Sequence, residues 1–158
     1  MADESLSGGG LSISSVLSSE RVVLLDKPDK NSALKKLIGV LSQASEIEDE
    51  DELEKAIFER EEMMSTGIGL GVGVPHVRLK SVKDIVMAVG LVKEPIADYE
   101  SLDDEPVRLI FMIAARNDQH REDIRLLKQV SSQVKDEQRR CQIFRAESAE
   151  QLYNYLTR

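Results

Sequence analysis

Cysteine is almost absent from this 158-residue chain. Cys141 stands alone, so no internal disulfide can form and the paired spacings of a cysteine-based zinc site are missing. In a stretch that reads as helix, a single Cys is expected to be a small buried or half-buried apolar residue. Basic charge is scarce beside acidic charge: 21 Lys and Arg stand against 29 Asp and Glu, for a net charge of −8, and aromatics make up only 4%. No cluster of Lys and Arg interleaves with aromatics, which argues against a nucleic-acid partner. Long apolar runs are also lacking. None approaches the roughly 20 residues that span a bilayer, and Met1–Gly10 has neither the basic nor the apolar region of a signal peptide. The expectation is a cytoplasmic protein with no membrane contact.

What is present describes one folded domain. Hydrophobic residues are 41% and charged residues 32% of the chain, a balance suited to a packed core, and the length fits a single domain of roughly 100 to 200 residues. Residues 1–10, rich in Ser and Gly, read as a flexible tail ahead of a domain covering 11–158. Val22–Leu25 is a short apolar run stopped by Asp26, Lys27 and Pro28, and reads as a strand. Asp29 or Ser32 then caps a helix whose Ala33, Leu34, Leu37, Ile38 and Leu41 recur at intervals of three and four.

The run from Glu46 to Glu54 holds seven acidic residues in nine. It reads as a solvated loop leading into the first turn of another helix, where acids suit the positive end of the dipole. That helix carries Leu53, Ala56, Ile57 and Arg60 on one side. Arg60 therefore ends an apolar stripe, either snorkelling at the edge of the core or reaching toward a ligand.

Residues 67–73 place glycine at every second position. In an extended segment those glycines share one face, open to close approach by a backbone or a ligand. Ile85–Val92 and Val107–Ala115 read as buried strands, separated by a polar loop over Glu94–Glu105 that Pro95 and Pro106 bracket. A helix over 118–135 is expected to turn Ile124, Leu127, Val130, Ser131 and Val134 inward. Another begins at Ser148, with Gln151 at capping-box spacing and Leu152, Tyr155 and Leu156 on its apolar side. Alternating strands and amphipathic helices predict an α/β fold: a single-domain α/β/α sandwich with a mixed, partly parallel central sheet.

The glycines do not make a nucleotide site. A strict period of two misses the G-x-G-x-x-G fingerprint, and no Gly-Lys-Ser or Gly-Lys-Thr follows. His76 comes directly after Val74-Pro75, and Pro75 stiffens the backbone that delivers its imidazole. Such a mount suits a nucleophile, because a neutral imidazole attacks through one nitrogen while the other is held by a hydrogen bond. Taken alone, a Pro-His after a glycine-rich turn is more often a structural feature than a site.

The order Arg60-Glu61-Glu62, then Ser65-Thr66-Gly67-Ile68-Gly69, then Val74-Pro75-His76 resembles the active-site segment of enzyme IIA proteins of the mannitol and fructose class, in the bacterial phosphoenolpyruvate:sugar phosphotransferase system. The resemblance covers residues 11–157. It implies a phosphocarrier that takes a phosphoryl group onto His76 from an HPr-type carrier, with Arg60 neutralising phosphate charge and Ser65, Thr66 and Gly67 offering donors. It implies no cofactor and no metal.

The resemblance also implies partners: an enzyme IIB whose cysteine receives the group, or a regulated target protein. The stand-alone length and the opening Leu-Ser-Ile-Ser-Ser-Val-Leu segment are similar to the nitrogen-regulatory branch. A sugar-transport IIA component and a degenerate binding module that no longer accepts phosphate are the alternatives.

Three positions depart from the pattern. The family's second histidine falls at Asp123, while His120 lies three residues earlier, on the same helical face or among solvent-facing neighbours. An Asp in that slot is expected to oppose a phosphoryl group. Gly73 replaces a small residue such as Ala and is expected only to loosen its strand, and Ala115-Arg116 replaces a frequent proline.

Overall fold

The computed structural model describes residues 11–158. The tail expected over residues 1–10 lies outside them. A short helix α1 (Ile13–Val16) precedes strand β1 (Val22–Leu25), then helices α2 (Lys30–Leu41) and α3 (Glu50–Met63). Strands β2 (Gly67–Gly69), β3 (Val72–Gly73), β4 (His76–Leu79), β5 (Val86–Ile96) and β6 (Val107–Arg116) follow. Helices α4 (His120–Lys135), α5 (Glu137–Phe144) and α6 (Ala149–Thr157) close the chain.

The caps fall where the sequence puts them. Asp29 accepts a hydrogen bond from the Ser32 amide at 3.0 Å and Asp49 from the Glu52 amide at 3.1 Å, each satisfying a donor that the first helical turn leaves open. Glu50, Asp51 and Glu52 then occupy the first turn of α3. Ser148 caps α6 through the Gln151 amide at 3.0 Å.

The sheet runs β1-β5-β6-β3-β2, with β4 also on β6. β1 pairs parallel with β5, β5 antiparallel with β6, and β6 parallel with both β3 and β4. It is mixed and partly parallel, as expected. On β6, Leu109, Phe111, Ile113 and Ala115 face one core together with Leu126, Val130, Val134, Leu152 and Leu156 from α4 and α6. Ile110, Met112 and Ala114 face a second core with Leu34, Leu37, Ile38, Leu53 and Ile57 from α2 and α3. Helices on both faces explain why β6 is continuously apolar from Leu109 to Ala115 although its side chains alternate.

Five local readings change. Residues 67–73 are not one extended segment: Gly69, Leu70 and Gly71 all have positive φ, at 96°, 60° and 78°, and turn the chain from β2 back along β3. The two-residue loop is Leu70-Gly71, with positive φ at both positions; Gly71 adopts it without strain, whereas Leu70 carries a Cβ there. Strand β5 runs on through Pro95 to Ile96, because Pro95 lies past the last residue paired with β1 and inside a register break with β6. Helix α4 turns Val130 and Val134 inward with Leu127 packed against the same core, as expected, but in its first turns Asp123 and Leu126 are buried and Ile124 is exposed. Cys141 is exposed on α5, where Ile143 is the residue turned inward.

The fifth concerns Gly73. A Cβ there would lie 2.8 Å from the Tyr99 ring carbon Cζ and hydroxyl, so the glycine makes room for Tyr99 rather than merely loosening the strand.

β3 and β4 hold one register along β6: Val72 pairs with Leu109 and His76 with Ile113. Val74 and Pro75 interrupt the ladder between them. Pro75 has no N–H to give, but its carbonyl accepts from the Ile113 amide at 2.9 Å, so the strand resumes at His76 without slipping.

Candidate functional site

His76 opens β4 and is half-buried. Its Nδ1 lies 2.7 Å from the Val74 carbonyl oxygen. A carbonyl only accepts, so Nδ1 carries the proton and Nε2 keeps its lone pair in the neutral ring. The ring borders a cleft of about 560 Å³. Arg60 from α3, Arg78 from β4 and His120 and Asp123 from α4 share that lining. A larger open groove of about 800 Å³ runs beside α5, between Asp136 and Arg145, and neither histidine lines it.

Arg60 closes α3. Its guanidinium donates to the Met64 carbonyl at 3.1 Å and its carbonyl accepts from the Met64 amide at 3.3 Å. One donor of the planar fork is thus spent on anchoring a side chain that stands in the cleft wall with His76. Arg78 was missed in the sequence, although a signal existed: residues two apart on a strand share a face, so His76 and Arg78 point the same way. His120 is solvent-exposed at the first turn of α4, yet it borders the same cleft.

Ser65, Thr66 and Gly67, read as phosphate ligands, are absent from this lining. Their polar groups are committed elsewhere. The Ser65 hydroxyl donates to the Glu100 carbonyl at 2.6 Å, and the Gly67 amide donates to Ser65 Oγ at 3.5 Å. The Thr66 hydroxyl donates to Glu61 and lies 2.6 Å from the Tyr99 hydroxyl. A Cβ on Gly67 would strike the Glu100 backbone at 2.2 Å, so that glycine admits a neighbouring chain rather than a ligand.

Glu61 is the centre of this support. Lys30 pairs with its carboxylate at 2.9 Å, the Thr66 amide donates to it at 3.3 Å, and its side chain is only 5% exposed. Lys30 also stands over the Tyr99 ring, 4.5 Å from its centroid. Burial, and then the Glu61 charge, push the Tyr99 phenol far above its ordinary range, so it stays a neutral donor. From this cluster the Thr66 carbonyl accepts from the Val74 amide at 2.9 Å, and the Val74 carbonyl receives His76 Nδ1. Local sequence could not reveal the chain of contacts, because it joins α2, α3, the glycine hairpin and the segment around Tyr99.

Asp123 has the opposite environment. It is 5% exposed, and its Oδ1 has no hydrogen-bond partner among the described residues. Burial raises its carboxyl above the ordinary value, against the opposing pull of His76, Arg78 and His120. Exposed apolar side chains border the same opening: Met63 at 83% exposure and Ile124 at 40%. Among the described residues, no three of His, Cys, Asp and Glu are placed to hold a metal, and no helix is long and apolar enough to cross a membrane.

A stiffly mounted imidazole with an unprotonated Nε2, sharing an open cleft with two guanidinium groups, is the constellation of a histidine phosphocarrier. The chain belongs to the family described as phosphoenolpyruvate-dependent sugar phosphotransferase system, EIIA 2, whose profile matches residues 15–158.

Among similar proteins, the fructose-specific EIIA component of Haloferax volcanii is 30% identical over 148 residues, covering 91% of this chain and 94% of that protein. The fructose-specific EIIABC component of Bacillus subtilis is 33% identical over 132 residues, covering 84% of this chain; the match spans only 21% of that longer protein. The crystal structure of the nitrogen regulatory protein IIA-Ntr from Neisseria meningitidis superposes with a TM-score of 0.79 at 25% identity, covering 89% of this chain and 96% of that one. Fructose-type and nitrogen-type relatives are thus both present, and the phosphocarrier role is common to them.

Proposed function

We propose that His76 is the phosphoryl acceptor, attacking through Nε2 the phosphohistidine of an HPr-type carrier. The Nε2–P bond forms as the donor's N–P bond breaks, and the donor imidazole keeps the electron pair. The observation that carries this reading is the Nδ1 contact with Val74 inside a cleft walled by Arg60: it selects the tautomer and aims the nucleophilic nitrogen at once. Phosphoryl transfer through a loose transition state needs in-line positioning and charge matched to three equatorial oxygens. Arg60 and Arg78 supply that charge, and His120 adds a donor at the rim. Ser65, Thr66 and Gly67 act by holding the loop under Val74.

We further assign the chain to the nitrogen-regulatory branch, in which the state of His76 decides which target protein is bound. The likeness in fold to IIA-Ntr supports this. Phosphorylation adds about −1.5 to −2 charges to the cleft, enough to make or break a partner contact. A second reading, a sugar-transport component that passes the group to a IIB cysteine, is favoured by the fructose-specific relative that spans 91% of the chain.

Labelling with phospho-HPr tests the site. His76→Ala is expected to take up no label, and the wild-type bond is expected to be acid-labile and base-stable. Arg60→Ala is expected to slow labelling by about 100-fold, as loss of a transition-state donor does; normal labelling of both variants would overturn the assignment. Incubating the labelled chain with IIB domains separates the branches. Rapid loss of label to a IIB cysteine supports transport, and a stable label with a partner held in only one phosphorylation state supports regulation.

A further inference from the structure

The one buried carboxylate in the cleft has no place in the scheme above. Asp123 is 5% exposed and its Oδ1 lacks a partner among the described residues, which is rare for a buried ionisable group. It shares the lining with His76 and Arg78 of β4, His120 of its own helix, and Arg60 and Glu59 of α3. The strand packed beneath α4 presents only apolar side chains, among them Ile113 and Ala115. While His76 is bare, Arg78 and the two histidines offset the charge of Asp123. A phosphoryl group on Nε2 competes for Arg78 and brings further negative charge beside a carboxylate whose Oδ1 has no hydrogen-bond partner among the described residues.

We propose that Asp123 is a proton-linked positioning residue: its carboxylate takes up a proton from solvent when the phosphoryl group reaches His76 and returns it when the group leaves. Protonation removes the repulsion and turns an orphaned acceptor into a donor facing the cleft. The transfer itself stays balanced, with one N–P bond made and one broken, and the extra proton comes from water and goes back to it. A group whose carboxyl already sits above its ordinary range is well suited to this exchange. The consequence is a transfer equilibrium tied to pH. At low pH the chain holds the phosphoryl group, and at high pH it gives the group up more readily. The inference rests on His76 being the acceptor.

The test is the equilibrium between phospho-HPr and the full chain, measured from pH 6 to 8 for wild type and Asp123→Asn. Every ionisable group other than residue 123 is common to the two proteins, so the ratio of the two equilibrium constants isolates Asp123. That ratio, wild type over variant, is expected to fall by at least about 3-fold across the range, within the limit of about 10-fold per pH unit that one linked proton allows. A second readout is independent of rates and equilibria: isotope-edited infrared spectra should gain the carbonyl stretch of a protonated carboxylic acid on phosphorylation of wild type and not of Asp123→Asn.

A constant ratio, or no such band, would overturn the proposal. If His76→Ala keeps its label, the acceptor assignment is what fails. If His76→Ala loses its label while the ratio stays flat, only the role of Asp123 falls.

Discussion

Glu61 and Asp123 are both carboxylates whose side chains are largely withdrawn from solvent, and both stand close to the presentation of His76, yet their surroundings differ completely. Glu61 accepts from the Thr66 amide and hydroxyl and pairs with Lys30. Asp123 leaves one oxygen unpartnered among the described residues. A buried charge with its donors in place holds structure together, while one without them costs stability and stays responsive to whatever enters next to it. The first carboxylate belongs to the scaffold under the imidazole, and the second belongs to the chemistry in front of it.

The sharpest way to break this contrast is to remove the satisfied partner. Glu61→Ala should destabilise the fold by about 3 kcal/mol, because it strands the Lys30 ammonium and the Thr66 donors; chemical denaturation would measure it. A loss below about 1 kcal/mol would put Glu61 in the same class as an exposed ion pair. Gly73→Ala should cost about 2 kcal/mol by overpacking, since the new methyl would lie 2.8 Å from the Tyr99 ring and hydroxyl. The His76 Nδ1 resonance, read by nitrogen NMR, should shift with it if the cluster sets the ring. Tyr99→Phe removes a single hydrogen bond to Thr66 and should cost about 1 kcal/mol in the same denaturation assay.

The smallest effect has the opposite sign. Asp123→Asn should stabilise the unphosphorylated chain by about 1 kcal/mol near neutral pH, the low end of what a buried polar group without a partner costs. The folded chain raises this carboxyl above its ordinary value of 3.8, so the folded state retains a proton that the unfolded chain has already released. Its contribution to stability is therefore greatest in acid and declines as pH rises through and above that value. The advantage of the Asn variant should be absent in acid and grow with pH, as thermal unfolding across a pH series would reveal. An advantage that does not change with pH would mean that packing, not charge, separates the two side chains.

The strand at 22–25, the capped helix starts at Asp29 and Ser148, the two buried strands and the candidate pair of Arg60 and His76 were legible in the amino-acid order, whereas α1, α5 and the short strands β2, β3 and β4 were not. Each of the former depends on signals that act over a few residues: periodicity, caps, Pro and Gly, or a motif of fixed spacing. The glycine hairpin was misread as extended because a period-two pattern is equally compatible with a strand and with a tight turn that uses the same glycines for positive φ. Ile124 was misplaced because only packing against the sheet decides which residues in the first turns of a helix are covered. Arg78 needed only the strand alternation to be carried two residues past His76.

By itself, then, the sequence determined the α/β class, the helix starts and the imidazole mount, because short-range sterics and hydrogen bonds act along the chain. Tertiary structure alone decided that Thr66 supports the loop, that Gly73 seats Tyr99, and that Asp123 is buried beside His76 with one oxygen unpartnered among the described residues. Those outcomes rest on groups far apart in the chain, such as Lys30, Glu61 and Tyr99, meeting in space. Whether a polar group is satisfied depends on every neighbour that packing brings to it, which no local pattern encodes.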